Sequence, residues 1–182
     1  MGNVMDCSIS NYFLTGRMRI GKSTIISHIL QSLSDSKRKI EGYRTKPIID
    51  NDKVKGYVFE NLGGVRKCFA HVDFKTDFKF DRYGVDISVF NELGAETLEQ
   101  AVVNADLIVM DEIGMLEKEA DQFKQSIMKC LSSEKIVLGA FQQRATWFSK
   151  ILQNAITFQI DEKNRDTIDV KIVQMIKNLL TK

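Results

Sequence analysis

The run Gly16-Arg17-Met18-Arg19-Ile20-Gly21-Lys22-Ser23-Thr24 fits the pattern G-x-x-x-x-G-K-[ST] at every fixed position. Those residue types suit a triphosphate. The two glycines let the backbone curl closely around an anion and aim its N–H groups inward. Lys22 can reach the β- and γ-phosphates, and the Ser23 hydroxyl can ligate Mg²⁺. A helix that starts at the end of the loop adds its positive N-terminus to the same site. All nine residues, Gly16 through Thr24, are therefore candidate nucleotide contacts.

A second acidic pair completes the chemistry. Leu107-Ile108-Val109-Met110 is a continuous apolar run that ends in Asp111-Glu112. Asp111 is suited to hold Mg²⁺ through its water shell, because Mg²⁺ keeps several waters and takes few carboxylates directly. Glu112 is suited to orient and deprotonate an attacking water. A phosphoryl group in flight also needs a cation. Arg17 and Arg19 inside the loop are candidates, as is Arg144, just past another apolar strand and beside Gln142-Gln143.

These groups must be carried by strands and helices of a definite kind. Tyr12-Phe13-Leu14 reads as a buried strand, and Ile25, Ile26, Ile29, Leu30 and Leu33 repeat at helical spacing after the loop. Helical periodicity returns at Leu98, Ala101, Val102 and Ala105, and again at Leu116, Ala120, Phe123, Ile127 and Leu131. Ile136 to Ala140 and Thr157 to Ile160 read as strands, with a short helix at Trp147–Leu152 between them and a last helix from Ile168 to Leu180. Apolar strands without alternation, set between amphipathic helices, predict a mainly parallel sheet covered on both faces. In such sheets a ligand sits beyond the carboxyl ends of the strands.

Residues 40–71 break that rhythm. Tyr57-Val58-Phe59 and Lys67-Cys68-Phe69 flank Gly63-Gly64 and predict an inserted antiparallel hairpin. Phe74 to Phe80 mixes aromatics with lysines; an edge strand guarded by lysine is preferred over a base-stacking surface. Lys37-Arg38-Lys39 is expected to be a solvated helix end. The expected architecture is a single three-layer α/β nucleotide-binding domain over residues 1–182, built on the phosphate loop, with an inserted antiparallel element.

Composition narrows the partners. Apolar residues make up 43% of the chain and charged residues 27%, as in a globular domain, and 26 basic against 24 acidic side chains leave a formal charge of +2. That balance argues against nucleic acid and membrane surfaces as partners. Cys7, Cys68 and Cys130 are far apart, and His28 and His71 have no nearby thiol or histidine, so zinc is not expected. His28 is expected on the surface of its helix. Free thiols suit a reducing cytoplasm. Asp6 stands where a myristoylation signal needs Ser or Thr, and no apolar run is long enough to span a bilayer.

Leu14-Thr15-Gly16-Arg17, Gly21-Lys22-Ser23-Thr24 and Asp106-Leu107-Ile108-Val109-Met110-Asp111-Glu112-Ile113-Gly114-Met115-Leu116-Glu117 together resemble the THEP-type nucleoside-triphosphatases. Glu41-Gly42-Tyr43-Arg44-Thr45, Arg82-Tyr83-Gly84-Val85-Asp86, Val137-Leu138-Gly139-Ala140 and Asn164-Arg165-Asp166 extend the resemblance over nearly the whole chain, in the family's order. The resemblance implies a Mg²⁺-dependent hydrolase of nucleoside triphosphates with loose base selectivity and a RecA-like sheet. It implies phosphate and metal roles for Lys22 and Ser23, a metal-side acid at Asp111, a base at Glu112, and Asn164-Arg165 near the nucleotide base. The chain departs from the family at Met18-Arg19, where Pro-Gly is usual, at Gln142-Gln143-Arg144, where a His-Arg-Arg-like run is usual, and near Phe80-Asp81-Arg82, where Gly-Lys is usual.

Hydrolysis of a nucleoside triphosphate by a monomer is the leading expectation. A small-molecule or nucleotide kinase shares the loop, but the segment from Lys75 to Arg82 offers only Lys75, Lys79 and Arg82 toward an arginine-rich lid. A nucleotide-dependent switch with slow turnover is the third class.

Overall fold

The computed structural model describes residues 9–34, 37–152 and 154–181. The positions of Asp6, Cys7, Asp35 and Ser36 lie outside the described residues. The phosphate-loop strand is β1 (Asn11–Gly16) and the helix after the loop is α1 (Lys22–Leu33). Next come β2 (Ile40–Asp50), β3 (Lys53–Asn61), β4 (Arg66–His71), β5 (Lys79–Phe80) and β6 (Tyr83–Val85). After them, α2 (Ala95–Asn104), β7 (Leu107–Ile113), α3 (Asp121–Ser132), β8 (Ile136–Phe141), α4 (Thr146–Ile151), β9 (Ala155–Ile160) and α5 (Ile168–Leu180) alternate to the end.

Among the described residues, nine strands form one sheet in the order β5-β6-β4-β3-β2-β7-β8-β1-β9. The five strands β2, β7, β8, β1 and β9 are parallel neighbours, and β3, β4, β6 and β5 continue the sheet antiparallel from β2. The strand with the phosphate loop and the strand with Asp111-Glu112 are not adjacent, because β8 lies between them. Both still end on the carboxyl edge, where a parallel sheet opens its ligand crevice.

β2 belongs to both halves. Ile40 to Arg44 pair with β7, while Tyr43 to Asp50 pair with β3, so the strand overhangs β7 by its second half. Pro47 is tolerated there, because the overhang has a partner on one side only. The Gly63-Gly64 hairpin joins β3 and β4 as expected, with Val58 opposite Cys68. The expected lysine-guarded edge strand is shorter than the sequence suggested. Only Lys79–Phe80 pair, against β6, and residues 73–78 form a loop. The expected helix from Leu116 to Leu131 is also divided: a 3₁₀ turn (Leu116–Glu119) precedes α3, with Ala120 extended between them.

The two faces of the sheet carry different cores. Under α1 and α5 the packing is aliphatic, with Leu14, Ile26, Ile29, Leu107, Val109, Leu138, Ile172 and Ile176 buried. Under α2, α3 and α4 it is aromatic, with Phe13, Tyr43, Phe59, Phe90, Phe123 and Phe148 fully buried. Tyr43 stacks on Phe59 at 4.8 Å, and Phe90 meets Phe69 at 4.7 Å and Phe123 at 5.4 Å. The basic run after α1 is not merely solvated. Arg38 donates to the Leu180 carbonyl at the end of α5 and pairs with Asp106, and Lys39 pairs with Glu41 at 2.9 Å.

Candidate active site

The loop between β1 and α1 has the shape that the glycine pattern demands. Gly21 sits at the helix N-terminus with φ +109°, in the left-handed region open to glycine. Arg19 also has positive φ, +61°. The position keeps a glycine-like conformation although the residue is arginine, at a cost of about 1–2 kcal/mol. Ile20 is buried under the loop, Met18 is exposed, and Arg17 turns out to pair with Glu162.

Lys22 and Glu112 meet across the crevice. Lys22 is buried to 6% exposure, and its Nζ stands 3.4 Å from Glu112 Oε2 and 3.4 Å from the carbonyl oxygens of Gly16 and Arg17. Beside them the Ser23 hydroxyl donates to Asp111 Oδ1 at 2.8 Å. Burial pushes the Asp111 carboxyl up to about 6; neighbouring Glu112 adds to the rise, while the Ser23 hydrogen bond, Arg44 and Lys22 oppose it. A hydroxyl and a carboxylate in contact are hard oxygen donors, which fits Mg²⁺. Among the described residues there is no group of three or more His, Cys, Asp or Glu placed to cage a metal. The remaining ligands of such an ion would be phosphate and water, as Mg²⁺ prefers.

Glu112 is held in place by Gln142, which sequence reading gave no role, and through it by Arg144. Gln142, just past β8, donates from Nε2 to Glu112 Oε1 at 3.0 Å. Arg144 Nε donates to Gln142 Oε1 at 3.0 Å, which fixes the amide so that its NH₂ faces the carboxylate. The Arg144 guanidinium lies over the Phe80 ring, 5.4 Å from its centroid. Arg144, a candidate phosphate contact by sequence, reaches Glu112 through Gln142. Gly114 makes room for this chain of contacts, since a Cβ there would stand 2.8 Å from Gln142 Nε2.

The Gly114 peptide is clamped on both sides. Its N–H donates to Glu117 Oε2 at 2.9 Å, and its carbonyl accepts from Trp147 Nε1 at 2.8 Å. Burial pushes the Glu117 carboxyl up to about 7, with Glu112 adding to the rise and the Gly114 amide opposing it. The signal for Glu117 was its place in the Asp-Glu-Ile-Gly-Met-Leu-Glu run. Gln142 carried no signal, because only the fold brings it to within hydrogen-bond reach of Glu112.

Two cavities open on the loop. One of about 480 Å³ is lined by Arg19, Ile20, Gly21, Thr24, Ile25, His28, Arg165 and Asp166. Arg165, a candidate neighbour of the nucleotide base, thus shares a cavity with the loop. Asn164 is placed otherwise: its amide donates to the Gln159 carbonyl at 2.8 Å and its oxygen accepts from the Asp161 N–H at 3.1 Å, closing the turn before α5. His28 is half exposed and pairs with Asp169 at 3.7 Å. The other cavity, of about 330 Å³, lies between α1 and the β2 overhang.

Comparisons with known proteins agree with this arrangement. The profile of a family described as NTPase matches residues 11–173. The nucleoside-triphosphatase THEP1 of Thermotoga maritima is 28% identical over 167 residues, covering 90% of this chain and 94% of that protein. THEP1 of Methanothermobacter thermautotrophicus is 26% identical over 164 residues, covering 90% and 94%. Two solved structures share the fold. The crystal structure of THEP1 from Aquifex aeolicus superposes with a TM-score of 0.80 at 24% identity, covering 92% of this chain and 99% of that one. The solution structure of a human cancer-related nucleoside triphosphatase superposes with a TM-score of 0.77 at 24% identity, covering 92% and 97%.

Proposed function

The chain belongs to the NTPase family, and from that premise we propose that it hydrolyses nucleoside triphosphates, ATP and GTP among them, to nucleoside diphosphate and phosphate with Mg²⁺. The observation that carries this reading is the Glu112 carboxylate, held by Gln142 at 3.0 Å and set 3.4 Å from Lys22 Nζ, beside the Ser23–Asp111 pair. A carboxylate so placed serves water and has no duty in simple phosphate binding.

The reaction follows from these groups. The loop amides and Lys22 bind the β- and γ-phosphates, and an arriving oxyanion competes with Glu112 for the Lys22 charge. Glu112, freed from that ion pair but still bonded to Gln142, accepts a proton as water attacks the γ-phosphorus. The new oxygen–phosphorus bond forms as the bond from the γ-phosphorus to the bridging oxygen breaks, and the electron pair stays on the diphosphate. Lys22 stabilises the charge that gathers there. Ser23 and Asp111 would hold Mg²⁺, which supplies charge neutralisation on the phosphate oxygens.

The larger cavity suits the sugar and base. Arg19 and Arg165 on its wall offer guanidinium planes, which stack on any base and support broad selectivity. The free thiols of Cys68 and Cys130 fit a reducing cytoplasm.

The test is steady-state phosphate release with Mg²⁺ for the wild type and for Glu112→Gln. The variant should bind nucleotide as tightly while turnover falls roughly 10²- to 10⁴-fold, the range of a lost general base. Unchanged turnover in Glu112→Gln would remove the carboxylate from its role.

A further inference from the structure

We propose that Arg44, on the β2 overhang, forms a second oxyanion subsite beside the metal-side pair, one that takes a phosphate group other than those held by the loop. Alternation along β2 carries the argument. Tyr43 is buried in the aromatic core, so Arg44 points to the opposite face, the one covered by α1. Arg44 is in register with Asp111 on β7, and Leu107 and Val109 of that strand belong to the core under α1. The guanidinium and the metal-side carboxylate thus stand on one face in neighbouring strands, and both line the cavity of about 330 Å³.

Arg44 is a cation of that cavity whose buried Nε has no hydrogen-bond partner among the described residues, although its charge acts on Asp111 and on Glu60 opposite it in β3. Lys46 is taken by Glu60 at 2.9 Å, and His28 by Asp169 at 3.7 Å. Asp111 does not take Arg44 into an ion pair; its Oδ1 accepts from Ser23 instead. A buried donor without an acceptor is costly, and a planar guanidinium fork matches phosphate oxygens. Mg²⁺ on Ser23 and Asp111 would place a second positive charge next to Arg44. An anion lying between them turns that repulsion into two attractions.

The ligand class is therefore a small phosphate oxyanion, with hydroxyls of Thr24 and Thr45 on the cavity wall to receive it, while the Ser27 hydroxyl donates to the Ser23 carbonyl at 2.8 Å. Its source is either the phosphate released by hydrolysis or the phosphate of a second small molecule. This inference rests on the hydrolytic reading above for the metal and for the first of those sources.

The experiment is calorimetric titration of the full chain saturated with nucleoside diphosphate and Mg²⁺, so that the loop is already filled. Inorganic phosphate is the probe in one arm and a nucleoside monophosphate in the other. The wild type should bind inorganic phosphate, Arg44→Ala should lose at least tenfold in affinity, and Arg44→Lys should recover part of it. Diphosphate affinity should change less than twofold, and product inhibition by phosphate should weaken in parallel with the binding. Arg44 dependence in the monophosphate arm alone assigns the subsite to a second molecule. Equal binding of both probes by wild type and Arg44→Ala, or no binding of either probe by the wild type, overturns the proposal. Arg44→Gln, which keeps the length of the side chain, serves if Arg44→Ala does not fold. A wild type that fails to hydrolyse yet binds phosphate through Arg44 removes the hydrolytic reading and leaves the subsite standing.

Discussion

β1, β7 and β8 lie between two helical layers and end in polar groups aimed at one crevice, whereas β3, β4, β5 and β6 cover a single face with aromatic rings and are linked by two hairpin turns and a loop. The parallel strands are apolar through most of their length, and only their last residues, Gly16, Asp111-Glu112 and the Gln142 that follows β8, carry chemistry. The antiparallel strands place Tyr57, Phe59, Phe69 and Tyr83 against Phe90 and one another. One half carries the candidate catalytic groups; the other supplies packing. Their difference teaches that stability and turnover should separate along the sheet, with Phe80 under Arg144 as the crossing point.

The largest expected effect tests the packing side. Phe90→Ala removes a ring in contact with Phe59, Phe69 and Phe123. It should cost about 3–5 kcal/mol of unfolding free energy in urea. Turnover at a temperature where the variant is folded should stay within about twofold of wild type. A large fall in kcat there would break the division between the halves.

A second effect distinguishes a polar core from an aromatic one. Glu117 keeps its proton in the folded state up to about 7 because it is buried, against an ordinary 4.5. Between those values the native chain binds more protons than the unfolded one, so stability should fall as pH rises from about 4.5 to about 7. The whole loss is about 3 kcal/mol. Glu117→Gln keeps an acceptor for the Gly114 N–H and should reduce that slope, seen as a smaller difference between urea midpoints at pH 5 and pH 8, the remainder belonging to Asp111, whose carboxyl is pushed up to about 6. An undiminished slope in the variant would assign it to another group.

The smallest effect sharpens the boundary. Gln142→Leu keeps the volume but removes the donor to Glu112. Turnover should fall about tenfold, close to 1.4 kcal/mol, with KM unchanged. A rise in KM alone would make Gln142 a nucleotide contact and move Arg144 and Phe80 into the binding site with it.

Legibility in the sequence followed the same division. The parallel half was readable because each strand is a run of apolar residues that turns polar at its end, and the loop pattern fixes its own geometry. Lys22, Ser23, Asp111 and Glu112 could be named from type and spacing, and the fold brings all four together. Strand order was not readable: nothing local says that β8 separates β1 from β7. The antiparallel half was readable only at the Gly63-Gly64 turn. Ile40 to Asp50 carries a proline and mixed polarity, because half of it is an overhang with a partner on one side. Gln142, Arg144 and Arg44 were misjudged or passed over for one reason. A surface-type side chain reveals its role only through a partner that is distant in sequence, here Glu112, Gln142 and Asp111.

Arg19 has a wider meaning for how such a loop changes over time. Its φ of +61° shows that the curl is imposed by what surrounds it, by Gly21 after it and by buried Ile20 beside it, and not by a glycine at that point. A conformation held from outside frees its own residue to vary. The steric penalty is lowest for Asn or Asp and highest for a β-branched residue, and among the unbranched side chains between them identity is open to selection by whatever enters the cavity. The variable positions of the motif are in this sense where one chain can differ from its relatives without losing the shape they share.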